Sequence, residues 1–177
     1  MSGNIHMGTG TLPGFLASLA GALSFTLTLP LMAFEAATLT ISQPNRITWH
    51  QVEFEAPFNQ NPIVIMGPLS FNGRDPSTLR IRNVTPTGFQ FQIAEWDYRD
   101  GVHTKETIGY LAVEPGQSDI DGIPAVAGRL DSIGGTLHGV RFDTPFETTP
   151  IVLFQVEASN TSPALAVRPR RIQPEGF

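Results

Sequence analysis

A sugar ring offers a protein two kinds of surface. Its hydroxyls take planar or bidentate donors and acceptors, and its C–H faces stack on an aromatic ring. Arg80, Asp97 and His103 supply the first kind and Trp96 the second. These four are the candidate carbohydrate-binding residues. Other chemistry has weaker support. Glu95 and Asp97 lie two apart on one stretch, whereas a glycosidase pair flanks its substrate from separate elements, about 5–10 Å apart. No G-x-S-x-G, P-loop or H-E-x-x-H pattern occurs. The 4 histidines show no ligand spacing. Asp119, Asp121 and Asp131 do not follow a calcium loop and read as turn residues. With no cysteine there is no disulfide, thiolate metal site or thiol nucleophile. The expectation is a non-catalytic protein without cofactor or metal. Its 11 basic and 16 acidic side chains give a net charge of -5, so no basic face for a phosphate backbone is expected, and no nucleic-acid partner.

Bland readings stand beside these. Arg80 and Arg82 are equally a solvated strand face or half of a structural salt bridge. Trp96 shares its parity with Gln90 and Gln92, which puts it on the wetter sheet face unless a bulge intervenes. His50 reads as a satisfied structural histidine. Asn83-Val84-Thr85 and Asn160-Thr161-Ser162 are glycosylation sequons, meaningful only in a eukaryotic secretory host.

The elements that must hold the four residues come twice. Val52-Glu-Phe-Glu-Ala-Pro-Phe-Asn-Gln-Asn-Pro-Ile-Val64 recurs as Val140-Arg-Phe-Asp-Thr-Pro-Phe-Glu-Thr-Thr-Pro-Ile-Val152, at an offset of 88 residues. The register holds without a gap to the end: Arg80 matches Arg168, Arg82 matches Arg170, and Pro86, Gly88 and Phe89 match Pro174, Gly176 and Phe177. Upstream, His50 matches His138. Two units are expected, 37–116 and 125–177, joined by a linker over 117–124. The second stops at the partner of Phe89, which predicts an incomplete unit whose Phe142, Ile151 and Leu153 lack covering strands.

Each unit reads as short strands. Val52 and Phe54 alternate with Glu53 and Glu55, Leu79 and Ile81 with Arg80 and Arg82, and Phe89, Phe91 and Ile93 with Gln90 and Gln92. Ile63 to Met66 is a continuous apolar run, as in a strand buried on both faces. Ala37–Ile41 and Thr107–Val113 complete about six strands, with Pro57 and Thr85-Pro86-Thr87-Gly88 as breaks. This predicts an all-β fold: a six-stranded antiparallel β-sandwich, one complete copy plus a truncated second copy.

The ordered series V-x-F-x-x-P-F-x-x-x-P-I-V, an R-x-R strand, V-T-P-T-G-F, a Trp-bearing strand and E-T-I-G-Y-L-A-V-E resembles the H-type lectin domain of snail agglutinins and discoidins. The resemblance covers 37–116 and the surviving part of the second unit. It implies a six-stranded sandwich, often trimeric, that binds N-acetylgalactosamine-type sugars through loops at one end. It implies a sugar contact at Arg80 and places Trp96 on the first residue of a family Trp-His pair. Here Asp97 follows instead of His, and His103 stands where Tyr is frequent. The loop between Trp96 and His103 is longer by about two residues than the family pattern, and the cysteines of the snail members are absent.

No charged residue precedes Glu35, and Phe15–Leu29 is the most apolar stretch. A signal peptide over 1–36, a membrane anchor and a buried helix compete for it. Pro30 falls where a signal peptide's apolar run should stop, while Pro13, Gly14, Gly21 and Pro30 make a poor anchor. No basic residue lies near Met1, and Leu31 and Phe34 precede the candidate cleavage alanines Ala33 and Ala36. The signal peptide is the preferred reading. The functional expectation is a secreted, non-catalytic glycan-binding module for attachment or adhesion, and the alternative is a structural β-sandwich spacer without a sugar site.

Overall fold

The computed structural model describes residues 34–131, 137–157 and 164–177. Its first unit is six antiparallel strands in two sheets. One sheet runs β1 (Phe34–Gln43), β6 (His103–Val113), β3 (Ile63–Leu69); the other runs β2 (His50–Glu53), β5 (Gly88–Glu95), β4 (Ser77–Thr85). No helix occurs among the described residues, so no helix there could cross a membrane. The sandwich expected from the alternating patterns is the fold observed.

Period-two alternation explains the core. Phe89, Phe91 and Ile93 point inward from β5, and their register partners Val52, Ile81 and Leu79 point the same way. Val64, Met66, Ile108, Tyr110 and Ala112 close on them from the other sheet. Burying each large side chain contributes about 1.5–3 kcal/mol. The aromatic rings interlock: Phe89 meets Tyr110 edge-on at 5.4 Å and Phe54 meets Phe58 at 4.9 Å.

Three local readings change. Ile63–Met66 is buried on one face, not two: Val64 and Met66 face the core between the sheets, while Ile63 and Ile65, on the outer face of the sandwich, are half-exposed. β1 starts at Phe34, inside the segment assigned to a signal peptide. Glu35 is buried there and accepts hydrogen bonds from the Tyr110 hydroxyl and the Glu55 amide. Burial, and then Glu35, raise the Tyr110 pKa above its ordinary value. The rest of the signal-peptide assignment, 1–33, and the second sequon lie outside the described residues. Finally, the 117–124 linker falls in a hairpin of β7 (Gly116–Ile120) and β8 (Ile123–Ala127).

The second unit repeats local geometry of the first. Phe54 N donates to Thr87 O at 3.0 Å and Phe58 N to Pro86 O at 2.9 Å; at the matching positions Phe142 N donates to Glu175 O at 2.9 Å and Phe146 N to Pro174 O at 3.0 Å. Positive φ recurs as well, 49° at Asn83 and 57° at Arg171. Burial does not recur. Ile151 is 90% exposed and Leu153 58%.

Ile151–Glu157 instead lies along the open side of the first sandwich. Ile81 N donates to Val156 O at 3.4 Å, and Ile81 bridges Glu157 in parallel. Gln155 spans the gap between the sheets: its amide nitrogen donates to Leu79 O at 2.8 Å and its oxygen accepts from Met66 N at 3.2 Å. Gln155→Ala leaves those edge groups to water, and we expect a loss of about 1–2 kcal/mol in urea unfolding. Faster hydrogen exchange at the Met66 and Ile81 amides should accompany it; unchanged exchange at both would refute the clamp.

Candidate functional site

The four sequence-predicted residues fall into three settings at one side of the sandwich. Arg80 is on β4, opposite Gln92 on the outer face of its sheet, and is only 7% exposed. Its guanidinium carbon lies 5.5 Å from the ring centroid of Trp49, which precedes β2. Trp96 follows β5 and is half-buried; its carbonyl accepts from Arg99 N at 2.9 Å, which closes a tight turn. Asp97 projects from that turn with its side chain 82% exposed. His103 opens β6 and is 3% exposed.

His103 is therefore an internal group. Its Nδ1 lies 2.9 Å from Glu95 Oε1 and its Nε2 lies 3.2 Å from Glu106 Oε1. Both carboxylates also hold backbone. Glu95 Oε2 accepts from Gly101 N at 3.0 Å. Glu106 accepts from Ser70 Oγ at 2.5 Å, Gly73 N at 2.6 Å and Asn72 N at 3.1 Å. Burial pushes the Glu106 carboxyl up, but the bonds from Ser70, Gly73, Asn72 and His103 outweigh it and hold the group below its ordinary range. This cluster fixes the loop after β3 to the tip between β5 and β6.

Arg80 and Trp96 are not in one cluster. Trp96 is four positions past Gln92, the partner of Arg80, or about 13 Å along the strand. The loop between β1 and β2 spans that distance. A bulge between Ile41 and Gln43 turns Gln43 inward, where it is 1% exposed. Its amide donates to Asn45 O at 2.7 Å and Thr48 O at 2.8 Å, and its oxygen accepts from Ile93 N at 3.1 Å. Asn45 Oδ1 caps the turn by accepting from Ile47 N and Thr48 N. Gln92 clamps the far side, donating to Arg46 O at 2.7 Å. Burial lowers the His50 pKa, and its Nε2 lies 3.2 Å from Gln43 Oε1.

Arg46 is the residue that ties this loop to the tip. Its Nη2 donates to Asp97 O at 3.1 Å, and its Nη1 stands 4.0 Å from the Asp97 carboxylate. Its stem covers Gly101, whose φ is +78° and where a Cβ would fall 2.1 Å from Arg46 Cγ. Glycine is required there on both counts. Tyr98, 72% exposed, and the Arg99–Asp75 pair at 2.8 Å complete a polar and aromatic rim.

Sequence reasoning missed Arg46, Trp49 and Glu106. Trp49 carried a signal, because it continues the outward parity of Gln51. Arg46 and Glu106 carried none, since side-chain bonds from other strands define their roles. Among the described residues no group of His, Asp and Glu could hold a metal ion.

Residues 49–113 match the model of the H-type lectin domain. Halomucin of Haloquadratum walsbyi (strain DSM 16790 / HBSQ001) is 29% identical over 111 residues, which cover 60% of this chain and 1% of that protein. The chain thus corresponds to a very small part of that relative. No solved structure matches significantly. The matched segment contains β2 to β6 and all four candidate residues.

Proposed function

We propose that this chain is a secreted, non-catalytic carbohydrate-binding module that mediates attachment to glycans, with the sugar site at the tip and outer face where Asp97, Trp96 and Arg80 lie. The observation that carries the reading is the H-type lectin match, which spans the strands and loops holding these residues. Asp97 accepts sugar hydroxyls from an exposed position, the half-buried Trp96 offers an apolar contact, and Arg80 donates from the sheet. His103 works from inside: with Glu95 it holds the turn that presents Asp97. The length from Arg80 to Asp97 suits more than one sugar ring. The H-type match supports N-acetylgalactosamine-type ligands and a trimer. The recurrent unit supports a tandem arrangement, in which weak single sites gain avidity.

A glycan array on the full chain, with Asp97→Ala and Arg80→Ala beside it, tests this. We expect a hit on N-acetylgalactosamine-type glycans that weakens at least about tenfold in Asp97→Ala with the melting temperature unchanged, since an exposed carboxylate carries little stability. No hit, or wild-type binding by both variants, overturns the reading. The burial of Arg80 and His103 favours a second one, a structural spacer without a sugar site, and that is what an empty array supports.

A further inference from the structure

Large apolar side chains of the first unit reach solvent at one end only. Residues 44–49 join β1 to β2, 70–76 join β3 to β4, and 96–102 join β5 to β6, so the topology brings these three loops to the same end of the sandwich. Ile47, Phe71, Tyr98 and Val102 all lie in them and all are exposed, Phe71 to 87%. No other large hydrophobic side chain among the described residues of 34–116 is exposed. At the opposite end Phe54 and Phe58 are buried. Apolar residues scattered singly over a surface need no explanation, but a group gathered at one end marks a contact site.

The two aromatic members stand on fixed backbone. On either side of Phe71, Ser70 N donates to Thr107 O at 2.9 Å, Asn72 Nδ2 to Lys105 O at 3.0 Å, and the Asn72 and Gly73 amides to Glu106. Tyr98 lies in the turn that Arg99 N closes on Trp96 O. The Arg99 guanidinium backs its ring, 5.3 Å from the centroid, and is itself held by Asp75 at 2.8 Å. That pair also ties the two loops together, because Asp75 is four residues, at most about 14 Å of chain, from Phe71. Glu95, His103 and Glu106 join the same loops from inside. A buried network thus holds in place two rings that are themselves left in solvent. Rings on fixed backbone lose little conformational entropy when a ligand covers them.

We propose that Phe71 and Tyr98 form a stacking subsite for the C–H faces of further pyranose rings, so that the tip reads an oligosaccharide and not a terminal sugar alone. The inference rests on the carbohydrate-binding reading above and extends that site from Asp97 toward the β3–β4 loop. Tyr98 directly follows Asp97, so the subsite is continuous with the one already described. Asn72, Asp97 and Asp100, all exposed, offer polar groups beside the rings for sugar hydroxyls. A lipid surface fits less well. The three loops carry Arg46, Arg74 and Arg99 against Asp75, Asp97 and Asp100, which leaves no excess of positive charge for an anionic leaflet.

The test is calorimetric titration of the full chain with the methyl glycoside of N-acetylgalactosamine and with a trisaccharide and a pentasaccharide that end in it. The pentasaccharide should bind about tenfold or more tightly than the monosaccharide. Phe71→Ala and Tyr98→Ala should each lower that ratio about threefold or more, with the melting temperature unchanged because both rings are exposed. Tyr98→Phe, which keeps the ring, should keep the ratio. Equal binding of monosaccharide and pentasaccharide, or a ratio unchanged in either alanine variant, overturns the inference and leaves the lectin reading standing if the monosaccharide binds. Flotation with vesicles of equimolar phosphatidylcholine and phosphatidylserine is the second arm. Vesicle binding that Phe71→Ala abolishes assigns the rings to a lipid surface and overturns the inference. No binding to any of the saccharides overturns both readings.

Discussion

Glu106→Ala is expected to lower the unfolding free energy by about 3–5 kcal/mol, the range for removing one partner of a buried charged network. Glu106 is 1% exposed and accepts from four residues. Alanine leaves the Asn72 and Gly73 amides and the Nε2 side of the buried His103 ring without their carboxylate partner, and buried polar groups without partners are costly. The exposed Arg46–Asp97 contact at 4.0 Å provides the contrast, worth about 0–1 kcal/mol. Acid should expose the same cluster. A carboxyl whose folded pKa is depressed adds stability above its unfolded value, near 4.5, and loses it as pH falls through the folded value. Glu106→Gln keeps one acceptor and no charge, so its deficit should be largest near neutral pH and shrink on acidification. Urea midpoints for the three proteins from about pH 3.5 to 7 decide this. Equal midpoints for wild type and Glu106→Ala, or a Glu106→Gln deficit that does not change with pH, would defeat the account.

That network also shows where sequence reading stops. The strands were legible because their information is local: the alternation Phe89, Phe91, Ile93 against Gln90, Gln92 places the core face without knowledge of any partner. Glu95 shares the parity of Phe91 and Ile93 and is 4% exposed. The interior position of His103 depends on carboxylates eight positions before and three after it. No periodicity encodes that meeting. Arg46 was invisible for a similar reason, since Gln43 and Gln92 shape its loop by side chain to backbone bonds. The β7–β8 hairpin is a different case. Asp121-Gly122 between Ile120 and Ile123 is a strong two-residue hairpin signal, and both residues have positive φ, 56° and 85°. That signal alone marks a hairpin where composition suggests a linker. The separation of roughly 13 Å between Arg80 and Trp96 follows from register, which one strand alone does not disclose.

Gly88→Ala should prevent stable folding of the first unit. The reason is steric. A Cβ at Gly88 would sit 2.2 Å from Val52 O and 3.2 Å from Glu53 Cα, both main-chain atoms of the neighbouring strand. No rotamer relieves such a contact; the strands must separate. Gly88 starts β5 and pairs with both Glu53 and Thr85, so separation breaks the β2–β5–β4 sheet where its two ladders meet. Next to it are Val52 and Phe89, 6% and 0% exposed, which would lose their packing. A cost of about 4 kcal/mol or more is expected, a large share of the total stability of a small domain. Gly109→Ala is the matched control within β6. There a Cβ would come no closer than 3.8 Å to Gly67 O, an ordinary contact, and a change within about 1 kcal/mol is expected. Gly176 repeats the geometry of Gly88, with Val140 O at 2.0 Å. Its alanine variant should cost less than that of Gly88, because the surrounding second unit buries far less of its own apolar surface. Circular dichroism and urea midpoints for the three variants measure the order. A Gly88→Ala protein with the wild-type midpoint would mean that the close approach of β2 and β5 does not hold the sandwich together.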